Sequence, residues 1–390
     1  MTSQHAKRVA VFSAQFLPGI GGVEKYTDNL ARELARQGCE VTVVTTDVSA
    51  PAGVEDAASG VRVVRLPSFA LVGGRLPVPK RNAAFKRLWE AAASRPYDGV
   101  VVNTRFYLHS LLGLRLARRQ GLRAVVCEHG SAYLTFGNAV LDKAVAVYEH
   151  AITARVKRYG PDFYAVSRKG LEWLSTFGIE GRGVLSNAID AAAFRASASG
   201  RSFRAQFGVP ADHALVSFVG RFIPEKGVDA LIEAMRMLGE RKAPATLVMA
   251  GAGPLEDRIR RAGLENVVVA GALDAGDVAA LMAESDLFCL PTRSEGFSTS
   301  LLEAAATATP AAITDVGGVA EMIPDASLGI VLPDARPATI ADALDAAVRD
   351  RERLAEQGAR CRERVEECYS WERTAAAVIR ACEQANERAL

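Results

Sequence analysis

Two doubly wound α/β domains are predicted by three features of the chain. Short apolar runs of strand length alternate with longer amphipathic runs of helix length. The alternation restarts near the middle of the 390 residues. In each half the first strand-like run empties into a glycine-bearing loop that opens a helix, at Gly19-Ile20-Gly21-Gly22 and again at Gly220 to Gly227. Strand, loop, helix, strand is a βαβ unit, which requires a parallel sheet covered by helices.

In the first half the predicted strands are 8–13, 40–45, 61–65, 99–103, 124–127 and 163–166, with a helix at 25–37. In the second half strands at 215–220, 246–251, 267–271, 287–290 and 311–314 alternate with helices at 227–238, 255–261, 277–282 and 301–308. The stretch 179–190, with its Gly-Arg-Gly and Ser-Asn, is the expected hinge. This divides the chain into domains 1–184 and 185–370 and a final helix, 371–390, opened by Ser370 as N-cap. Open α/β domains bind ligands at the carboxyl ends of their strands, so a cleft between two facing domains is the expected site.

Composition narrows the class. At 49% hydrophobic and 24% charged residues the chain can bury a sizeable core. No apolar run approaches the roughly 20 residues of a membrane span, and the run Val9-Ala10-Val11-Phe12 is expected to be a first strand and not a signal peptide. Six cysteines without a CxxC pair indicate a reduced, cytoplasmic protein. No His or Cys cluster has ligand spacing, so no metal site is expected. Net charge hides an asymmetry: positions 1–200 hold 26 Lys and Arg against 16 Asp and Glu, a balance of +10, whereas 201–390 hold 21 against 29, a balance of −8. With no nucleic-acid-binding motif in view, the basic half points to anionic lipid headgroups or a lipid-linked phosphate, or is a solvated basic surface.

Four loops carry the candidate chemistry. Gly21 and Gly22 let backbone approach a ligand at a helix start, although the spacing is not GxGxxG. His129, in Cys127-Glu128-His129-Gly130, follows a strand and can bond a sugar hydroxyl, or serve as a structural histidine; His5, His109, His150 and His213 have no comparable placement. Arg221 and Lys226, five positions apart after Gly220, can converge on a diphosphate and stabilise charge that grows as a sugar leaves it, or form an exposed turn paired with Glu225. Gly251 and Gly253 repeat this logic one strand later, and Gly271-Ala272-Leu273 lies where backbone can read a base; both can equally be packing features.

The fourth loop is Ser294-Glu295-Gly296-Phe297-Ser298-Thr299-Ser300-Leu301-Leu302-Glu303. Glu295 falls in the loop and Glu303 in the helix, separated by about 12 Å along a helix and about 80° around it, the reach of a nucleotide sugar from hexose to ribose. Ser298, Thr299 and Ser300 are capping candidates at a helix start that can share a diphosphate. The two glutamates alone could also be solvated surface residues.

Taken together, these pieces resemble the retaining GT-B glycosyltransferases of family four over essentially the whole chain. The matching segments are Gly21-Gly22-Val23-Glu24, Leu185-Ser186-Asn187-Ala188-Ile189-Asp190, Phe218-Val219-Gly220-Arg221, Glu225-Lys226-Gly227 and Ala250-Gly251-Ala252-Gly253-Pro254. They continue with the E-x7-E element Glu295 to Glu303, Gly317-Gly318-Val319-Ala320-Glu321 and Tyr369-Ser370-Trp371-Glu372. The resemblance implies two Rossmann-like domains facing across a cleft, with the final helix crossing back onto the first, and a metal-independent reaction retaining anomeric configuration. It implies that Glu295 contacts the transferred sugar and Glu303 the ribose. Arg221 and Lys226 would hold the diphosphate, the Gly22 loop would approach it, and His129 would lie near sugar and acceptor. The implied donor is a UDP- or GDP-sugar, with no cofactor, and the implied product a cell-surface glycan or glycolipid. A nucleotide-sugar epimerase or phosphorylase of the same fold, or a non-catalytic nucleotide-sugar-binding subunit, are the alternatives.

For the acceptor side, Phe85, Leu88 and Trp89 recur at helical spacing with basic residues opposite, and Arg155-Val156-Lys157-Arg158-Tyr159 is a second basic run. Either these helices bury one apolar stripe in the core, or the first domain rests on the inner face of the plasma membrane, where a glycan or lipid-linked acceptor presents its hydroxyl.

Overall fold

The computed structural model describes residues 6–19, 21–57, 59–134 and 138–389. It divides into two compact units, Met1–Asn187 with Trp371–Leu390, and Ala188–Ser370. His5 and Ile20, both named above, lie outside the described residues.

The N-terminal unit is built on β1 (Arg8–Ser13), β2 (Glu40–Thr46), β3 (Gly53–Asp56), β4 (Val61–Leu66), β7 (Gly99–Asn103), β8 (Val125–Glu128) and β9 (Asp162–Ala165). Their order is β3-β4-β2-β1-β7-β8-β9, parallel except for β3 at the edge. Between β4 and β7 the chain adds a separate hairpin, β5 (Ser68–Leu71) and β6 (Leu76–Pro79). Val9, Val11 and Phe12 of β1 are buried with Val43 and Val44 of β2 and Val101 and Val102 of β7. Strands covered on both faces need such continuous apolar runs. The first helix, Gly22–Arg36, buries Tyr26, Leu30 and Leu34 at i, i+4 and i+8, one stripe of a 3.6-residue repeat.

The last helix, Trp371–Glu387, returns to this unit, as the resemblance implies. Arg36 Nη2 donates to Glu372 Oε1 at 2.8 Å, Tyr26 meets Trp371 edge-on at 5.4 Å between ring centroids, and Thr374 Oγ1 donates to the Ser186 carbonyl at 3.2 Å.

The C-terminal unit contains β10 (Ala214–Val219), β11 (Ala245–Ala250), β12 (Val267–Gly271), β13 (Leu287–Leu290), β14 (Ala311–Thr314) and β15 (Gly329–Leu332), all parallel in the order β12-β11-β10-β13-β14-β15. The chain winds outward one way from β10 and the other way from β13. The crevice at the carboxyl ends of these two strands is therefore the topological switch point, and β1 with β7 forms the equivalent point in the N-terminal unit.

Three differences from the sequence reading have physical causes. Strands β3, β5, β6 and β15 were not anticipated. The first two have three of four residues exposed, β6 holds Pro77 and Pro79, and β15, at the edge of its sheet, opens on Gly329 and leaves Val331 exposed, so none shows a fully buried apolar run. The helix expected at 301–308 spans Thr299–Ala306, because Ser298 caps it two residues earlier. Finally, helix Ala83–Ala93 turns its apolar stripe inward: Phe85 and Leu88 are buried in the core, and Trp89 packs on Phe12 with ring centroids 6.3 Å apart. This stripe belongs to the core and is not a membrane face.

Candidate donor and acceptor sites

In the C-terminal unit two loops leave the switch point and are stitched together by backbone. The Glu225 carbonyl accepts the Arg293 N–H at 2.8 Å and the Thr292 hydroxyl at 3.1 Å. Gly227 makes this approach feasible: its φ is +72°, and a Cβ there would stand 2.0 Å from the Pro291 carbonyl oxygen. These contacts bring together two residues 69 positions apart, the Lys226 ammonium and the Glu295 carboxylate, which form an ion pair. Their side chains are 18% and 15% exposed, so the charges are only partly screened by water while remaining open to a ligand.

The neighbouring glycines set the shape of the crevice. A Cβ on Gly251 would meet the Gly220 carbonyl oxygen at 1.9 Å, and one on Gly253 the Phe222 carbonyl oxygen at 2.5 Å. Both glycines thus hold the loop after β11 against the loop that carries Arg221. Phe222 is fully buried beneath that loop, and Arg221 stands exposed at its start. The Gly220 N–H donates to Ala250 and the Gly251 N–H to Gly271, so these two donors serve the fold. Leu273 packs its side chain against the cluster of Phe203, Leu215 and Val248.

On the other side of Glu295, Ser298 Oγ accepts the Leu301 N–H at 3.3 Å and caps helix Thr299–Ala306. The Ser298 hydroxyl therefore has a structural role, and what the helix start offers an anion is its positive dipole end. Glu303 lies partly buried in the second turn. Phe297 is buried against Tyr369, ring centroids 5.3 Å apart, and fixes Gly296 and Glu295 behind it. Gly317 and Gly318, quoted above only for the resemblance, complete this wall. A Cβ on Gly317 would come within 2.4 Å of the Gly296 carbonyl oxygen, and one on Gly318 within 2.2 Å of the Phe297 ring.

In the N-terminal unit, Gly21 precedes helix Gly22–Arg36 and lies under the Glu24 carboxylate, which would be 2.2 Å from a Cβ at that position. Burial raises the pKa of Glu24 above its ordinary range. Gly22 faces open space.

His129 follows β8. Its Nε2 lies 3.1 Å from Asn103 Oδ1, while Asn103 Nδ2 donates to Thr27 Oγ1 at 2.8 Å, an arrangement that assigns the ring proton to Nε2 and leaves Nδ1 as an acceptor. Burial against Tyr26, edge-on at 4.6 Å, pushes the His129 pKa down to about 3, so the ring is neutral at physiological pH and suited to accept a hydroxyl proton in a hydrogen bond. The other described histidines are structural: His109 lies buried with Nε2 2.9 Å from the Val44 carbonyl, His150 bonds Tyr133 and His213 bonds Thr246.

Sequence reasoning missed the group that holds the His129 loop. Arg105, Glu128 and Glu149 are each no more than 1% exposed. Arg105 pairs with Glu128 and, at 3.0 Å, with Glu149, and its guanidinium lies 3.8 Å from the Phe177 ring centroid. Glu128 Oε1 in turn accepts the N–H groups of His129 and Gly130, both at 3.1 Å, and Glu149 Oε1 accepts that of Leu134 at 3.0 Å. One buried arginine thereby holds the loop at His129 and Gly130 and again at Leu134 through two carboxylates. The available signal was positional, since Arg105 leaves β7 at the switch point. Among the described residues, no three His, Cys, Asp or Glu side chains group as metal ligands, and no helix is long and apolar enough to cross a membrane.

Known proteins resemble this chain throughout. Residues 20–193 match the family model Glycosyltransferase Family 4, and residues 200–385 match Glycosyl transferases group 1. A D-inositol 3-phosphate glycosyltransferase of Kineococcus radiotolerans is 28% identical over 420 residues, covering 97% of this chain and 95% of its own. Among solved structures, sucrose-phosphate synthase from Thermosynechococcus elongatus superposes with a TM-score of 0.76 at 21% identity, covering 97% of this chain and 98% of its own. Anabaena HepE, solved in complex with UDP-glucose, gives 0.71 at 17% identity, covering 97% and 99%. The paired doubly wound units have the GT-B fold.

Proposed function

We propose that this chain, which belongs to the group 1 family of glycosyltransferases, moves a hexose-type sugar from a UDP- or GDP-sugar to a hydroxyl of a lipid-linked glycan or glycolipid in cell-surface polysaccharide assembly. The transfer is metal-independent, retains anomeric configuration and takes place at the cytoplasmic face of the membrane. The observation that carries the donor assignment is the Lys226–Glu295 pair at the switch point of the C-terminal sheet. When a donor arrives, Lys226 turns to the diphosphate and Glu295 to the sugar hydroxyls, so that two groups that satisfy each other become two separate handholds. Arg221 adds a planar fork for phosphate oxygens, and Glu303 is assigned the ribose.

In the transfer the bond between the anomeric carbon and the diphosphate oxygen breaks and a bond from that carbon to the acceptor oxygen forms on the same face. The departing phosphate oxygen takes the acceptor proton. Charge accumulates on the diphosphate, where Arg221, the helix start at Thr299 and Lys226, once turned from Glu295, converge, and this electrostatic stabilisation is the main source of rate. The N-terminal unit is assigned the acceptor, with neutral His129 receiving a hydroxyl hydrogen bond.

A second reading of the acceptor follows from the Kineococcus relative, which is named for D-inositol 3-phosphate and matches at full length: a small phosphorylated polyol in place of a lipid-linked glycan. Incubation with a panel of UDP-, GDP- and ADP-sugars, with and without each acceptor class, and proton NMR of the released or transferred sugar tests both readings. Slow release of sugar in its original anomeric form is expected from one donor without acceptor, and faster transfer with a lipid-linked acceptor. An inverted product, an isomerised nucleotide sugar, or binding without turnover would overturn the assignment.

A further inference from the structure

Helix Ala139–Lys157 is apolar on two sides. Its inner face, Val145, Glu149, Ile152, Thr153 and Val156, is buried in the N-terminal unit. Its outer face carries Val140, Ala144, Val147, Ala151 and Ala154, all exposed, at alternating steps of four and three residues. Those steps keep the five within about 80° of one another over a length of about 21 Å. Val140 is 80% exposed and Val147 70%. Three of the eight large apolar side chains exposed among the described residues lie on this helix, Leu141 being the third, and a second group of three, Phe69, Leu71 and Val72, lies on and beside β5.

The charges beside the stripe have one sign. Lys143 borders one edge, Arg155 the other, and Arg158 follows the last turn, while Asp142 projects to the far side and Glu149 is buried on Arg105. We propose that this face of helix Ala139–Lys157 rests in the interface of an anionic bilayer, with the valines among the upper acyl carbons and Lys143, Arg155 and Arg158 at the lipid phosphates. A second copy of the chain fits the face poorly. Antiparallel self-pairing that sets Val147 on Ala151 also sets Lys143 on Arg155, like charge on like charge. The basic balance of positions 1–200 favours the same anionic partner. The helix begins ten residues after His129 in the chain, so the lipid surface would adjoin the loop assigned to the acceptor.

This inference deepens the lipid-linked acceptor reading and rests on it for its purpose, but vesicle binding is measured with neither donor nor acceptor, so either can fail alone. The test is co-sedimentation of the full chain with vesicles of phosphatidylcholine, alone or with about a third phosphatidylglycerol. The wild type should bind the anionic vesicles and release them as salt rises. Lys143→Gln with Arg155→Gln should lower binding on the order of 30-fold, and Val140→Asp with Val147→Asp should abolish it. Both variants should keep the wild-type melting temperature and donor hydrolysis rate, because all four positions are exposed. Absence of wild-type binding, binding by both variants equal to that of the wild type, or a wild-type dimer that Val147→Asp dissociates would overturn the proposal.

Discussion

Glu295→Gln should reduce sugar transfer about 10²- to 10³-fold while tightening, not weakening, the binding of bare nucleoside diphosphate. The first effect follows if the Glu295 carboxylate orients the sugar, because an amide keeps the shape and loses the charged acceptor. The second follows from the ion pair. In the unliganded protein Lys226 has Glu295 as its counter-ion, partly shielded from water. A diphosphate must draw the ammonium away from that carboxylate and then tolerate a negative charge beside it. Removing the carboxylate charge eliminates both costs for a ligand without a sugar. Steady-state transfer and titration calorimetry with UDP and GDP separate the two effects. Equal loss of turnover and nucleotide affinity would contradict the division of labour drawn here.

Gly227→Ala should be among the most damaging single methyls in the proposed donor site. An alanine at φ +72° carries backbone strain of roughly 1–2 kcal/mol, and its Cβ would stand 2.0 Å from the Pro291 carbonyl oxygen, which is main chain and cannot rotate aside. Relief requires the loop after β10 to withdraw from the end of β13, breaking the bonds from Arg293 and Thr292 to the Glu225 carbonyl and separating Lys226 from Glu295. A destabilisation of about 2–4 kcal/mol is expected, seen as a fall of roughly 5–15 °C in the melting of the C-terminal unit, with donor binding lost. Gly200→Ala, in the same unit with nothing within 4 Å of the added carbon, should melt like the wild type. A Gly227→Ala protein with normal melting and normal nucleotide affinity would show that the close approach to Pro291 is not required.

The sequence was most readable where burial is two-sided. β1, β2, β7, β10 and β11 are continuous apolar runs because helices cover both faces of their sheets, and such runs need no alternating pattern to be recognised. Edge elements gave no comparable signal: β3 and β5 leave most of their residues in water, and the prolines of β6 mask the hairpin. In the donor site each candidate was visible alone, because a strand-to-helix loop with glycine, arginine and lysine, or with two spaced glutamates, has a stated chemistry. Their contact was not visible, since Lys226 and Glu295 are joined only through the stitching of two loops across the switch point. Gly251 and Gly253 were read as places where backbone approaches a ligand, and Gly317 and Gly318 were named only for the resemblance; at all four the space a Cβ would need holds protein backbone or a ring. Least readable was the Arg105 clamp, whose carboxylates lie 23 and 44 positions away and follow no motif. The basic helix Ala83–Ala93 shows the limit of amphipathic pattern by itself: the same spacing fits a core stripe or a membrane face, and only packing decides.

The central claim is that the carboxyl ends of β10 and β13 form a nucleoside-diphosphate site with Lys226 as its phosphate cation. Titration calorimetry of Lys226→Ala against UDP and GDP addresses it most directly. Loss of one charge-assisted phosphate contact should weaken the preferred nucleotide by on the order of 10- to 100-fold with the melting temperature of the free protein little changed. Wild-type affinity in Lys226→Ala would contradict the account and place the diphosphate elsewhere.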